Sequence, residues 1–591
     1  ANDIKIADAT NIQDLLTEQM PGLEFGYAMN QETSLNMNGF GGNAVLFLVD
    51  GERLAGETMD NVDYSRLNLD NVGRIEIVKG AASALYGANA VAGVINIISR
   101  ENSEPWTANV NTRYNDFNKE WRHGGSFSFN AGKWNSQTSI QRTTSDEVQL
   151  TNPFDTESNI LHIYGGETFN VKERLTYKLS NKVKLIGRGG YFNRISKRSN
   201  YDDHYMDYSA GLKTVMNLSE NDNLEISYGF DQYDKARYVN DERTHDHDYT
   251  NRQNTVRALY SHIFGKNTLT VGADFLNDYL TTYQFEDNES KNQNSCDAFA
   301  QFDYNPLQWL NIVASLRHDY FSASSQHATT GRLALMTKWK GFSIRANYAG
   351  GFRAPTLKEM YMNFDMAGMQ MIYGNPDLKP EKSNNYNLAL EHTGKVKNAG
   401  FFTGQYSLTL MGYYNKYDKR ITTEDYADYT PGTGQPDVAS RYCNEDGVEV
   451  SGIDFSAQYR SDMGLGVKLD YSYLHVGGRS VDSQFSQPRP HSATWRLDYD
   501  RQLCSFYRIN AALSGRYLSS PDTNIKKHDS SYQLWKFTLQ QRFLDAVNLN
   551  FTVDNLFGYT PKNYYWSSAM TTGRTFTVGL SIDIDRFVKV F

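Results

Sequence analysis

The sequence predicts a transmembrane antiparallel β-barrel of about 22 strands preceded by a small mixed α/β domain. Three observations carry this. From Trp106 onward, apolar and polar residues alternate in segments on the order of ten residues, the length of a tilted membrane crossing. Aromatic residues gather at segment ends, as in Tyr413-Tyr414, Tyr471 with Tyr473, and Tyr564-Tyr565-Trp566, like interfacial girdles. The stretch from Ala1 to about Ser103 has a different texture, with a helix signal and continuous apolar runs. The remaining residues, about 490 at roughly 22 per strand and connection, give about 22 strands.

Within the N-terminal domain, Asn11 to Glu18 reads as a short helix with Ile12, Leu15 and Leu16 on one face, closed by Pro21-Gly22. Val45-Leu46-Phe47-Leu48-Val49 is a strand that ends on the Asp50-Gly51 turn. Ile75 and Ile77 alternate with Arg74 and Glu76 and lead to Gly80, a second strand ending in a turn. A small-residue run follows, and then Val94-Ile95-Asn96-Ile97-Ile98, a third and more buried strand. Three apolar strands give this domain a core of its own.

These same residues carry a resemblance. IQDLLTEQMPGLEF, VLFLVDGERL and RIEIVKGAASALYGANAVAGVINIIS are similar, densely and in order, to the plug domain of TonB-dependent outer-membrane receptors. Ala81 stands where that family usually has Pro, and Ala92 where it often has Gly. The resemblance implies a plug over residues 1–104, seated in the lumen of a barrel over residues 105–591 in a bacterial outer membrane. It also implies transport without enzymatic chemistry. A ligand binds above the plug, and the TonB–ExbB–ExbD complex pulls on the plug's mobile start, using the inner membrane's proton-motive force. An export signal and a coupling motif belong before the plug. Ala1-Asn2-Asp3 leads into charge without an apolar h-region, so the numbered chain is expected to begin inside the plug.

In the barrel region the alternation is clearest from Thr575 to Asp585. Phe576, Val578, Leu580, Ile582 and Ile584 share a face, opposite Thr575, Thr577, Gly579, Ser581 and Asp583. Val547 to Asp554, Leu224 to Phe230 and Tyr406 to Gly412 repeat the pattern. Terminal Phe591 resembles the export mark that outer-membrane barrels carry on their last strand. Ser180 to Val183 and Ser219 to Leu224 read as tight periplasmic turns. External loops are expected at Arg194–Asp207, Asp231–Arg252, Glu286–Asp297, Pro355–Pro380, Thr423–Asp446 and Gly477–Pro490.

Composition narrows function. Forty Tyr, 31 Phe and 45 Gly with only 13 Pro suit strands and polar loops, and no run of 18 apolar residues offers a transmembrane helix. Low mean hydropathy, −0.61, is compatible with strands that face lipid with every second residue. A net charge of −9 argues against nucleic acid. Cys296, Cys443 and Cys504 are too few and scattered for a disulfide framework or zinc site, and read as packing residues. No nucleophile elbow, phosphate loop or spaced metal motif occurs. Thr244-His245-Asp246-His247-Asp248 is the nearest candidate for metal and reads better as a solvated loop.

The second signature is Phe352-Arg353-Ala354-Pro355, then a loop with Met360, Tyr361, Met362, Phe364, Met366, Met369 and Met371, then Asn375-Pro376-Asp377-Leu378. It is similar to the FRAP and NPDL boxes of haem, siderophore and cobalamin receptors. Haem receptors of this type ligate iron through a His in that loop and another in the plug. Neither is present, since the first His is His123. Ferric haem takes imidazole in open axial positions, whereas cobalamin arrives with its cobalt ligated and suits adaptable methionine contacts. Cobalamin or another corrinoid is therefore the first expectation, with haem second, reached through His204, His245, His318 or His475, and a ferric siderophore third.

No cofactor is required, but Asp202, Asp203, Asp207, Asp231, Asp234 and Asp241 read as acidic loops able to gather Ca²⁺, as cobalamin receptors resembling this one do. Arg74 matches a family arginine expected to pair across the lumen with Glu381, Glu391 or Asp454, against the local alternative of Glu76. The loop texture also resembles Bacteroides-group receptors, which implies a capping surface lipoprotein as a partner beside outer-membrane lipids. The rival classes are a passive porin or adhesin and, remotely, a secreted β-rich enzyme.

Overall fold

The computed structural model describes residues 1–591 except 1–3, 5–6, 10, 28–31, 39, 58–59, 70–71, 80–86, 88–89, 152–159, 287–288, 367, 478–488, 522–530, 562–563, 565–567 and 591. Helix α1, Ile12–Gln19, starts where the Asn11 side chain accepts the Asp14 N–H at 2.8 Å, and it buries Ile12, Leu15 and Leu16. Strands β1 (Leu23–Tyr27) and β2 (Thr33–Met37) form a hairpin. Then β3 (Val45–Val49), β4 (Glu52–Arg53), β5 (Val72–Lys79) and β6 (Gly93–Ser99) make a sheet of order β4-β3-β6-β5. Asp50 and Gly51, at φ 52° and 85°, give the two left-handed residues of a tight hairpin turn into β4. β3 runs parallel to β6 at the sheet centre, and Val94 and Ile95 of β6 are fully buried. Ala92 is buried beside them, while Ala81 and most of the SALYG stretch lie outside the described residues.

Twenty-two antiparallel strands then close into a barrel around this domain. The last strand, Thr575–Asp583, pairs with the first, Trp106–Asn115, from Thr577↔Asn115 to Asp583↔Asn109, so the barrel sheet has no open edge. Ile226, Tyr228, Leu408, Leu410 and Val578 are exposed on the outer face, while polar residues such as Asn170, Asp207, Asp231 and Asp470 are buried against the plug. No helix of the described residues is long and apolar enough to cross a membrane. Connections alternate between short turns, such as 179–182, 218–221 and 265–266, and long loops, such as 354–380 and 419–447. The long-loop rim is the outer mouth.

Three expected loops are mostly strand. Val183–Lys197, Asp202–Asn217, Asp222–Val239, Tyr249–Phe264 and Ser290–Leu307 run past the membrane, two of them 18 residues long. Above the headgroups both faces are polar, so the ladder continues without an apolar signature. The loops at 355–380 and 423–446 do form, and they fold a helix, Leu357–Tyr361, and a four-stranded sheet from Asn363–Asp365, Met371–Tyr373, Arg420–Asp425 and Ala439–Glu445. Most of the loop expected at 477–490 lies outside the described residues.

The final strand stops at Asp583. Ile584 opens a helix, Ile584–Val590, rather than extending the alternation, and Asp585 accepts the Ala108 N–H at 3.1 Å. Phe591, Tyr565 and Trp566 lie outside the described residues. Tyr413, expected in a girdle, sits inside and packs on the plug core, while Tyr414 is exposed. All three cysteines are free thiols, and Cys296 and Cys504 are exposed rather than packed.

Candidate functional site: the plug–wall interface and the outer mouth

Ion pairs tie the plug to the wall on one side. The turn Tyr64–Arg66, capped by the Asp63 side chain, aims Arg66 at the wall. Its guanidinium meets Asp207 at 2.5 Å and Asp231 at 2.9 Å, with all three side chains at least nine-tenths buried. The same guanidinium donates to the Ala55 carbonyl at 2.6 Å, and Asp231 accepts the Ala55 N–H at 2.5 Å. Arg194 bridges Glu32 at 3.0 Å and Asp63 at 2.9 Å and stacks on Tyr205, 3.8 Å from its ring centroid. Lower in the lumen, Arg188 pairs with Glu52 at 2.6 Å, and Lys79 with Asp454 at 2.8 Å.

This arrangement corrects the expected polar cluster. Arg74 pairs with its neighbour Glu76 at 2.8 Å on an exposed strand edge, so the local alternative holds. Glu391 pairs with Arg345 at 2.8 Å, and Glu381 serves Arg353 at 2.9 Å. Of the three barrel carboxylates expected to meet Arg74, Asp454 pairs with the plug through Lys79. Arg66 was missed because nothing in Tyr64-Ser65-Arg66 marks it, and its partners lie 141 and 165 residues away.

The acidic residues expected to hold Ca²⁺ sit on paired strands, apart from Asp241 in a turn. Asp203 is held by Arg198, Lys235 and Arg237, Asp207 and Asp231 by Arg66, and Asp234 accepts from Gln232. Among the described residues no three His, Cys, Asp or Glu side chains converge as metal ligands. His245 pairs with Asp248, and His247 with Asp246 and Arg237.

The FRAP box anchors the mouth loop. Phe352 and Arg353 end the strand Phe342–Arg353, and the fully buried Arg353 binds Glu359 and Glu381, each at 2.9 Å. Thr356 and Glu359 form a reciprocal capping box that starts the helix Leu357–Tyr361, right after the Ala354-Pro355 turn. From that helix Lys358 reaches down to Glu57 and Asp60 of the plug, both at 2.7 Å. Burial pushes the Glu57 carboxyl up to about 7, ahead of the opposing pull of Lys358. Burial also acts on Asp60, but Lys358 and Arg353 together hold that carboxyl below its usual value. In the NPDL box, Asn375 donates to the Tyr442 carbonyl at 3.0 Å and accepts the Asp377 N–H at 3.0 Å. Leu378, beyond Pro376, is fully buried. Both boxes therefore fasten loops together.

The methionines divide. Met360, Met362 and Met371 are buried packing residues, Met360 in a cluster with Leu357, Tyr205 and Tyr249. Met369 is exposed, and Met366, Tyr361 and Phe364 are partly exposed. Phe364 meets Tyr283 edge-on at 5.7 Å. The histidines divide as well. His204, His318 and His475 occupy outward register positions, in line with exposed Tyr208, Leu316 and Tyr473, so none faces the lumen. Three cavities lie between plug and wall, of about 210, 160 and 110 Å³.

A family model of the TonB dependent receptor-like β-barrel matches residues 54–556, and one of the TonB-dependent receptor plug domain matches residues 1–94. The chain belongs to the TonB-dependent receptor family. It is an outer-membrane receptor of this family, whose members work with TonB. A vitamin B12 transporter BtuB of Photobacterium profundum is 25% identical over 585 residues, covering 95% of this chain and 89% of the relative. An iron-regulated outer membrane virulence protein of Vibrio cholerae is 24% identical, covering 93% and 86%. Among solved structures, the ferric enterobactin receptor PfeA of Pseudomonas aeruginosa superposes at TM-score 0.81 with 15% identity, covering 98% of this chain and 97% of that one. The copper transporter OprC does so at 0.77 with 15% identity, covering 97% and 95%. These structures share the fold.

Proposed function

We propose that this TonB-dependent receptor imports cobalamin or a related corrinoid across the outer membrane, without breaking any bond in it. The observation that carries the reading is the pair of facts about the mouth: similarity to vitamin B12 transporters along nearly the whole chain, and no imidazole facing the lumen from the barrel positions His204, His318 and His475. A corrinoid needs apolar surface and hydrogen bonds, which exposed Met369, partly exposed Met366 and Phe364, and the surrounding tyrosines supply. Haem needs an axial ligand, for which the mouth offers, among the described residues, His162, His245 and His247, each engaged by a carboxylate. Isothermal titration of the purified receptor with cyanocobalamin tests this. Saturable binding is expected, and absence of binding together with a Soret shift on adding hemin would reverse the order of the two ligands.

A further inference from the structure

The plug adheres to its barrel in two unlike ways on opposite sides. On one side its hydrophobic core continues into the wall, with the Lys79–Asp454 ion pair beside it. Tyr417, Val448, Val450 and Leu474 are all buried in one cluster with the plug residues Ile12, Leu16, Met37 and Phe40. They come from the neighbouring strands Gly404–Asp418, Val448–Ser461 and Leu465–Gly477. On the other side the three cavities form a chain. The outermost and the middle one share Asn68, and the middle and third share Glu52 and Arg53 at the β3–β4 tip. Their wall runs from strand Glu120–Ala131 round to Leu310–Phe321. Polar groups dominate the lining of the outermost and third cavities and apolar groups that of the middle one, and Gln253 Oε1, Gln293 Oε1 and Asp297 Oδ1 face this region without a protein donor. Gly190, Ser209, Gly211 and Gly229 keep the wall shallow beside the middle cavity. A larger cavity of about 520 Å³ at the short-turn rim is lined by barrel residues alone and does not separate plug from wall.

The two sides respond differently to separation. Buried ion pairs such as Arg66 with Asp207 and Asp231 recover their hydration when they part, so desolvation offsets most of their attraction. Apolar contact has no such compensation, because parting it returns hydrocarbon to water. We propose that the plug opens on one side only. It hinges on the apolar wall of Tyr417, Val448, Val450 and Leu474, and ligand passes along the cavity-lined wall of strands 120–131 to 310–321, with Arg66 as the latch across that path.

The uptake arm of the test rests on the corrinoid reading; a second arm does not. In a background of Cys296→Ser, Cys443→Ser and Cys504→Ser, the pair Glu52→Cys with Arg188→Cys is bridged by a short bifunctional thiol reagent that reductant cleaves. The pair Lys79→Cys with Asp454→Cys, across the apolar wall, is treated alike. Bridging 52 to 188 is expected to stop labelled cyanocobalamin uptake while leaving surface binding intact, with recovery on reduction. Bridging 79 to 454 is expected to leave uptake within about twofold of the unbridged receptor. The reverse pattern, or both bridges acting alike, overturns the proposal. The second arm compares Ser209→Cys in the seam with Val450→Cys on the apolar wall, using a membrane-impermeant thiol reagent and no ligand. More than tenfold faster labelling at 209 is expected, and equal or reversed rates overturn the proposal. If the unbridged receptor takes up no cyanocobalamin, the corrinoid reading falls and the labelling rates alone decide the seam.

Discussion

Replacing Arg353 with Met removes the one cation shared by Glu359 and Glu381, in a site where the three side chains are only 1%, 2% and 9% exposed. Taking one partner from such a buried group costs about 3–5 kcal/mol, because uncompensated charge stays behind. The barrel has a cheaper response than unfolding. The helix Leu357–Tyr361 can lift away, and both carboxylates then hydrate. The cost therefore falls on loop docking, which weakens roughly a hundred- to several-thousandfold before the remaining anchors act. Those anchors are Lys358 on Glu57 and Asp60, and buried Leu357 and Met360. Hydrogen exchange reads the result directly at Met360 and Met362, whose N–H groups donate to the Thr356 and Lys358 carbonyls at 3.1 and 2.9 Å. Arg353→Met is expected to lower their protection at least tenfold, with the barrel's melting temperature unchanged. Arg353→Lys should fall between, keeping the charge but losing the two-pronged fork. Protection within threefold of wild type would refute the assignment of Arg353 as the loop's anchor.

Glu57 gives a pH dependence. Its folded value, about 7, lies above its ordinary carboxylate value, so the docked plug apex binds a proton that the released one loses. Docking of Leu357–Tyr361 should be tight near pH 4–5 and weaken as pH rises through about 7. Limited proteolysis of the loop at pH 5.5 and 8 reads this, and Glu57→Gln should flatten it. Leu474→Ala removes buried side chain from the apolar wall and should cost about 2–5 kcal/mol of plug retention. Urea titration of plug release checks that, and an unchanged midpoint counts against the continuous core. In planar bilayers the wild-type receptor should hold no steady large conductance, while a porin-like current would favour the passive-channel alternative.

The parts of this fold that could be read in the sequence are those where one face meets lipid or hydrocarbon. Phe576 and Val578 announce a lipid-facing strand, and Val45 to Val49 announce a buried one ending on Asp50-Gly51, because burial imposes a period. Where the buried inner face is itself polar and held by ion pairs, the hydrophobic period vanishes. Asp202 to Asp207 and Asp231 to Val239 look like loop yet pair along their whole length. Ile584 keeps the alternation going one residue after the backbone has turned into a helix. At the site, the FRAP and NPDL boxes were visible, but their role as loop fasteners was not, since it depends on Glu359, Glu381 and Tyr442 arriving from elsewhere. Five methionines in one loop are chemically alike, and only packing separates buried Met360, Met362 and Met371 from the two nearer the surface. The Arg66 latch depends on contacts across the lumen that no local pattern records.

The claim on which the function rests is energised import of a corrinoid through a plugged barrel. Uptake of labelled cyanocobalamin by cells that depend on this receptor, with and without TonB and in competition with excess hemin, tests it most directly. Uptake that requires TonB, is displaced by unlabelled cobalamin and is indifferent to hemin is the expected result. Uptake that persists without TonB, or that hemin abolishes while cobalamin does not, contradicts it.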